Sequence, residues 1–177
     1  DDYFNTVLYT GNGASTRTVT GVGFKPDWVW VKERSSTSSH NVYDIVRGVQ
    51  KYLEPDDTQA EVTASSTLKS FDTDGFTTGN AGGINQNSQT YVAWNWLAGN
   101  GTSSNTDGSI TSTVSANTKA GFSIVGYTGT GSLATIGHGL DEAPELIIFK
   151  ERNANDNWSV YAEPAGNTGK LRLNGTN

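Results

Sequence analysis

The stretch KPDWVWVKER, residues 25–34, sets a proline ahead of a near-continuous apolar run and closes it with charged residues. A short run of β-branched and aromatic residues after a proline reads as a β-strand covered on both faces or nearly so. The same grammar returns at residues 142–152 as EAPELIIFKER. Working outward, NTVLYTG (5–11) and FSIVGYTG (122–129) read as opening strands with glycine-rich turns behind them. In TYVAWNWLAGN (90–100), the period of two puts Val92, Trp94 and Trp96 on one face of a further strand. SFDTDGFTTG (70–79) reads as strand–turn–strand, with Asp74-Gly75 as the hairpin signal. The one helix candidate is NVYDIVRGVQKYL (41–53), where Val42, Ile45, Val46, Val49 and Leu53 follow helical spacing roughly and Gly48 interrupts it, so that a short helix or a turn fits. The expected fold is all-β, an antiparallel sandwich.

The recurrence is systematic. Comparing residues 4–43 with 122–161 without a gap gives 13 identities in 40 positions, among them Tyr9/Tyr127, Pro26/Pro144, Lys32/Lys150, Arg34/Arg152 and Tyr43/Tyr161. About three would arise by chance, so the chain reads as an internal duplication at an offset of 118 residues. The expected organisation is a first repeat at 1–99, a polar connector at 100–120, and a second repeat at 121–177 that lacks counterparts of residues 70–79 and 91–99. A partial second copy could complete a sandwich with the first; a parent chain that continues is the preferred expectation.

Composition bounds the chemistry. The 177 residues suffice for a real core, 34% are hydrophobic, and the net charge is −6. An acidic chain does not suit the neutralisation of nucleic-acid phosphates, and no apolar run approaches the ~20 residues of a membrane helix. With no cysteine, neither a disulfide framework nor a thiolate metal site is available.

Candidate chemistry is sparse. His40 and His138 are the only histidines, and a solvated turn residue is the expectation for His138. Asp72 and Asp74 in DTDG resemble the start of a calcium loop, but the closing oxygen ligands are missing and a hairpin turn is the simpler reading. The clusters Asp56-Asp57-Glu61 and Asp141-Glu142-Glu145 read as solvated loop charges rather than a glycosidase pair. Trp28, Trp30, Trp94 and Trp96 are expected to pack in the core. Trp158, beside Asn155, Asp156 and Asn157, is the ring expected to be exposed and to stack on a sugar. Sequons at Asn100, Asn157 and Asn174 are close to what so Asn- and Thr-rich a chain would contain.

With YFNTVLYTGNG (3–13), TGVGFKPDWVWVKERS (20–35), SFDTDGFTTG (70–79), YVAWNWLAG (91–99), the stretch 105–131 and GHGLDEAPELIIFKERN (137–153) in view, the chain resembles repeat-containing structural proteins of marine tailed bacteriophages. These are tail-fibre, adhesin-like or lectin-like virion proteins. The resemblance spans essentially the whole chain and carries no catalytic residue over. It implies a jelly-roll or concanavalin A-like sandwich displayed on a virion, assembled as a homo-oligomer, a trimer being favoured, alongside other virion proteins. The expected function is display and binding of host-surface carbohydrate, without enzymatic activity, cofactor, nucleic-acid partner or membrane insertion; calcium would enter only through Asp72 and Asp74. The rivals are a purely structural virion component, a polysaccharide depolymerase and a secreted bacterial adhesin.

Overall fold

The computed structural model describes residues 2–169 and 171–175. It is an all-β protein. Its strands are β1 (Phe4–Thr10), β2 (Arg17–Thr20), β3 (Trp28–Glu33), β4 (Asn41–Asp44), β5 (Lys51–Tyr52), β6 (Val62–Thr63), β7 (Leu68–Asp72) and β8 (Gly75–Thr78). A single helical turn, α1 (Gly82–Asn85), precedes β9 (Thr90–Trp96). Then come β10 (Ser103–Asn105), β11 (Ser112–Asn117), β12 (Phe122–Gly126), β13 (Leu146–Phe149), β14 (Ser159–Ala162) and β15 (Leu171–Arg172).

The sandwich is built from the first half of the chain. One layer is antiparallel in the order β1-β9-β3-β4, and the facing layer has the order β2-β8-β7. Alternation sorts the side chains: Val29 and Val31 of β3 and Tyr91 and Ala93 of β9 point inward and are fully buried. They meet Val19, Leu68 and Phe76 from the second layer and Ile84 from α1. Burying a side chain such as Phe76 or Leu68 contributes roughly 1.5–3 kcal/mol, and Tyr9 stacks on Tyr91 with ring centroids 5.1 Å apart. The β7–β8 hairpin turns at Thr73-Asp74, one residue ahead of the Asp74-Gly75 that its sequence implies, with Asp72 pairing with Gly75.

Of the short helix and the turn that residues 41–53 allow, the turn forms, set between two strands. Asn41–Asp44 pair with Val31–Trp28 of β3 and are all buried, and the following turn places Gly48 at φ +86° and Gln50 at φ +66°. A left-handed pair of residues ends any helical run. The stretch 100–120 is more than a connector: it forms β10 and β11, which pair with β12 in a sheet of their own, with Ser112, Val114 and Ser115 buried. The four strand tryptophans do not enter the core. Trp28 lies opposite Trp96 and Trp30 opposite Trp94 on the outer face of the four-stranded layer, all half-buried.

The second half echoes part of the first. β13 pairs with β14 as Leu146↔Ala162, Ile147↔Tyr161, Ile148↔Val160 and Phe149↔Ser159, the register of β3 with β4 moved by 118 residues. Lys32 donates to the carbonyls of Glu33 and Ser36 at 2.6 and 3.0 Å, and Lys150 donates to those of Glu151 and Ala154 at 2.6 and 3.1 Å. Ile45 N donates to Asp27 O at 2.8 Å, and Glu163 N to Glu145 O at 2.7 Å. The echo stops at the neighbours: β3 is also paired with β9, whereas β13 is, among the described residues, an uncovered edge of the sheet β13-β14-β15.

Candidate functional site

The expectation for Trp158 is overturned. Its side chain is buried, at 3% exposure, and its indole N–H donates to the carbonyl of Glu54 at 2.9 Å. A ring committed to the junction between the two halves of the chain offers no face to a sugar. Its polar neighbours are likewise engaged. Asn155 Oδ1 accepts from Ala60 N, Asp156 Oδ1 accepts from Asn157 N, and Asn157 Oδ1 accepts from Asn174 Nδ2. The two amides tie separate loops together, while the carboxylate bonds within its own loop.

The remaining candidates disperse. Asp74 accepts from Gly21 N and Gly23 N at 3.1 and 2.6 Å, bonds that hold its carboxyl below the ordinary range, while Asp72 accepts from the Thr77 hydroxyl at 2.7 Å. Both carboxylates thus serve the hairpin. His40 Nδ1 accepts from the Trp30 indole at 2.9 Å, and desolvation lowers its pKa. His138 Nδ1 accepts from Leu140 N at 3.1 Å within its own turn, where the ring is half-buried. Asp141, Glu142 and Glu145 are exposed, as expected. Glu61 is not a solvated loop charge: its carboxylate joins Arg152 at 2.8 and 2.9 Å to Arg47 at 3.4 Å. Burial raises its pKa, but the bond and charge of Arg152 and the charge of Arg47 outweigh this and lower it.

What the structure does assemble is a polar hollow of about 310 Å³ between the loop after β3, the strand β5 and the turn α1. Ser38, Asn41, Tyr52, Glu54 and Thr67 line it, with the backbone of Gly82 and Gly83 on one side. Glu54 is half-buried, and desolvation, reinforced by the negative charges of Asp56 and Asp57, raises its pKa. Desolvation, with the charge of Glu54, also raises that of Tyr52. Among the described residues no protein group donates to the Glu54 carboxylate, which lines the hollow together with an aromatic ring, an amide and hydroxyls. A larger hollow, of about 370 Å³, between β10, β11 and Gly139 is lined by small side chains and backbone and holds no titratable group.

Glu54 carries no signal in the sequence, because the stretch YLEPDD (52–57) offers three acids within four positions, with nothing to mark which one the fold turns inward. The proline at 55, buried in the structure, is the one local clue that the chain is held there.

The match to a family model runs over residues 1–177. The chain belongs to the family described as Domain of unknown function (DUF7483). No curated protein and no solved structure matches it. The chemistry open to the DUF7483 domain rests on its own side chains. One open carboxylate accepts, Asn41 and the hydroxyls both donate and accept, and Tyr52 supplies an apolar surface. Adjacent hydroxyl groups on a ring with apolar C–H faces satisfy such a set. The outer tryptophan face of the domain adds apolar area, and Phe122 of β12 already packs over Trp28 and Trp96 at 6.3 and 6.1 Å.

Proposed function

We propose that this DUF7483 domain is a display module of a tailed-phage virion that binds host-surface carbohydrate, with the hollow at Glu54 as the binding site. The observation that carries the reading is a half-buried carboxylate without an internal donor, set among Asn41, Tyr52, Ser38 and Thr67. The resemblance to tail-fibre and lectin-like virion proteins supports the setting. A cysteine-free chain suits a particle assembled in a reducing cytosol. A shallow site of this size binds one sugar weakly, and display in several copies raises avidity by about 10²–10⁴-fold, which favours a homo-oligomer.

The test is binding of the multimerised chain to an array of bacterial surface glycans, with and without calcium, alongside Glu54→Gln. Saturable binding to a related group of sugars, lost in Glu54→Gln, is the expected result. A blank array turns the reading toward a purely structural virion component. Release of new reducing ends would turn it toward a depolymerase. Binding that survives Glu54→Gln would remove the site.

A further inference from the structure

The hairpins β3–β4 and β13–β14 share one register, but among the described residues only the first has its outer edge covered. There β9 pairs antiparallel along β3, from Trp28↔Trp96 to Glu33↔Tyr91. Two backbone bonds bracket it: Asp27 N donates to Trp96 O at 2.9 Å and Arg34 N donates to Thr90 O at 2.7 Å. The Asp27 carboxylate then clamps the exit of β9 by accepting from Ala98 N and Asn100 N at 3.0 and 2.7 Å.

The flanking donors and the carboxylate of that arrangement have equivalents on either side of β13, which matches four of the six β3 positions that pair with β9. Glu145 stands for Asp27 and Arg152 for Arg34, and among the described residues neither backbone N–H has an acceptor. The Glu145 carboxylate is exposed. The apolar side chains that β9 and its neighbours would shield are exposed too: Leu146 at 59%, Ile148 at 39% and Phe149 at 39%, whereas Val31, the counterpart of Phe149, is at 0%. An uncovered edge with apolar side chains exposed beside it is a template for strand addition.

We propose that the free edge of β13 takes up, antiparallel, a strand of the β9 kind from a neighbouring repeat of the same fold. Register transfers directly: Ile147 faces the position of Asn95 and Phe149 the position of Ala93, while Glu145 receives the amide groups that follow the strand. Main-chain bonds supply the affinity and the alternation of side chains supplies the register, as in other strand-addition complexes. The edge thus joins repeats end to end, and it is separate from the hollow at Glu54.

The probe is a fluorescently labelled peptide with the sequence of residues 89–100, titrated into the full chain and followed by anisotropy. Saturable binding is expected, weakened by about tenfold or more in the double variant Leu146→Lys/Ile148→Lys. Glu145→Gln should weaken it less, and Leu133→Lys, on a fully exposed loop residue, should leave it unchanged. Circular dichroism checks that each variant keeps its fold; because both edge side chains are exposed, no loss of fold is expected. Absence of binding, or equal binding of a scrambled peptide that breaks the alternation, overturns the proposal. So does self-association of the chain, seen by sedimentation and abolished by Leu146→Lys, which would assign the edge to a second copy of β13.

Discussion

Glu54 is held half out of water with two further carboxylates on the same loop, and both effects favour its protonated form. A carboxyl whose pKa is raised on folding binds more protons in the folded than in the unfolded chain between the two values. Stability therefore falls as pH rises from the ordinary carboxylate range through the raised pKa. Replacing it by glutamine removes that fall. Chemical denaturation of Glu54→Gln at a series of pH values should give a flatter profile, and at neutral pH a protein at least as stable as the parent. A residue retained at a cost to stability marks a site used for something else; a variant less stable at neutral pH would show the carboxylate to be structural. Trp158 carries the opposite lesson. An indole flanked by amides and a carboxylate looks solvent-facing in sequence, because nothing in NANDNWSVY (153–161) records that Glu54, more than a hundred residues earlier, supplies a carbonyl for its N–H.

At the scale of elements, the β7–β8 turn makes the clearest demand on a single residue. Gly75 adopts φ +148°, and a Cβ there would overlap the carbonyl of Val19 on β2. Strain at such a backbone conformation costs roughly 1–3 kcal/mol. Gly75→Ala is expected to lower the midpoint of denaturant unfolding accordingly, with an unchanged slope; no change in midpoint would refute the strain. This turn, with β3, β9 and β1, was legible from sequence because each depends on local signals: a glycine after Asp74, a proline before an apolar run, an alternation of period two. Where local signals mislead, the deciding partner lies in another element. Val42 and Ile45 have helical spacing, yet β3 captures residues 41–44 as a ladder partner, and tertiary pairing overrides a weak helical pattern broken at Gly48. The tryptophans of β3 and β9 share a face as their alternation implies, but periodicity cannot say which face is outward. The smaller, smooth-packing Val29, Val31 and Ala93 take the interior, and the cross-strand pairs Trp28↔Trp96 and Trp30↔Trp94 take the outside. The hollow at Glu54 was illegible for the same reason, since four separated segments line it.

For the molecule as a whole, the link between the two halves is a small polar network with one buried indole beside it. Glu61 sits between Arg47, which also ion-pairs with Asp44, and Arg152 at the exit of β13. Glu61 N donates to the Arg152 carbonyl at 2.9 Å, Asp156 N donates to Thr58 O at 2.9 Å, and Trp158 donates to Glu54 O at 2.9 Å. The lowered pKa of Glu61 means that its contribution is present in full above the unfolded carboxylate value and is lost as pH falls through its folded value. Because the partners of Glu61 span positions 47 and 152, that loss should first loosen the seam and leave the sandwich core, which rests on apolar burial, intact. The indole N–H of Trp158 reports on the seam directly and can be assigned by its disappearance in Trp158→Phe. In the parent chain it should exchange slowly with solvent at neutral pH and lose protection on acidification, after correction for intrinsic exchange. In Glu61→Gln the same loss should be present already at neutral pH, with the Tyr91 and Phe76 ring signals unmoved. Simultaneous loss of seam and core in both proteins would mean that the two halves unfold as one unit and that Glu61 does not govern their junction.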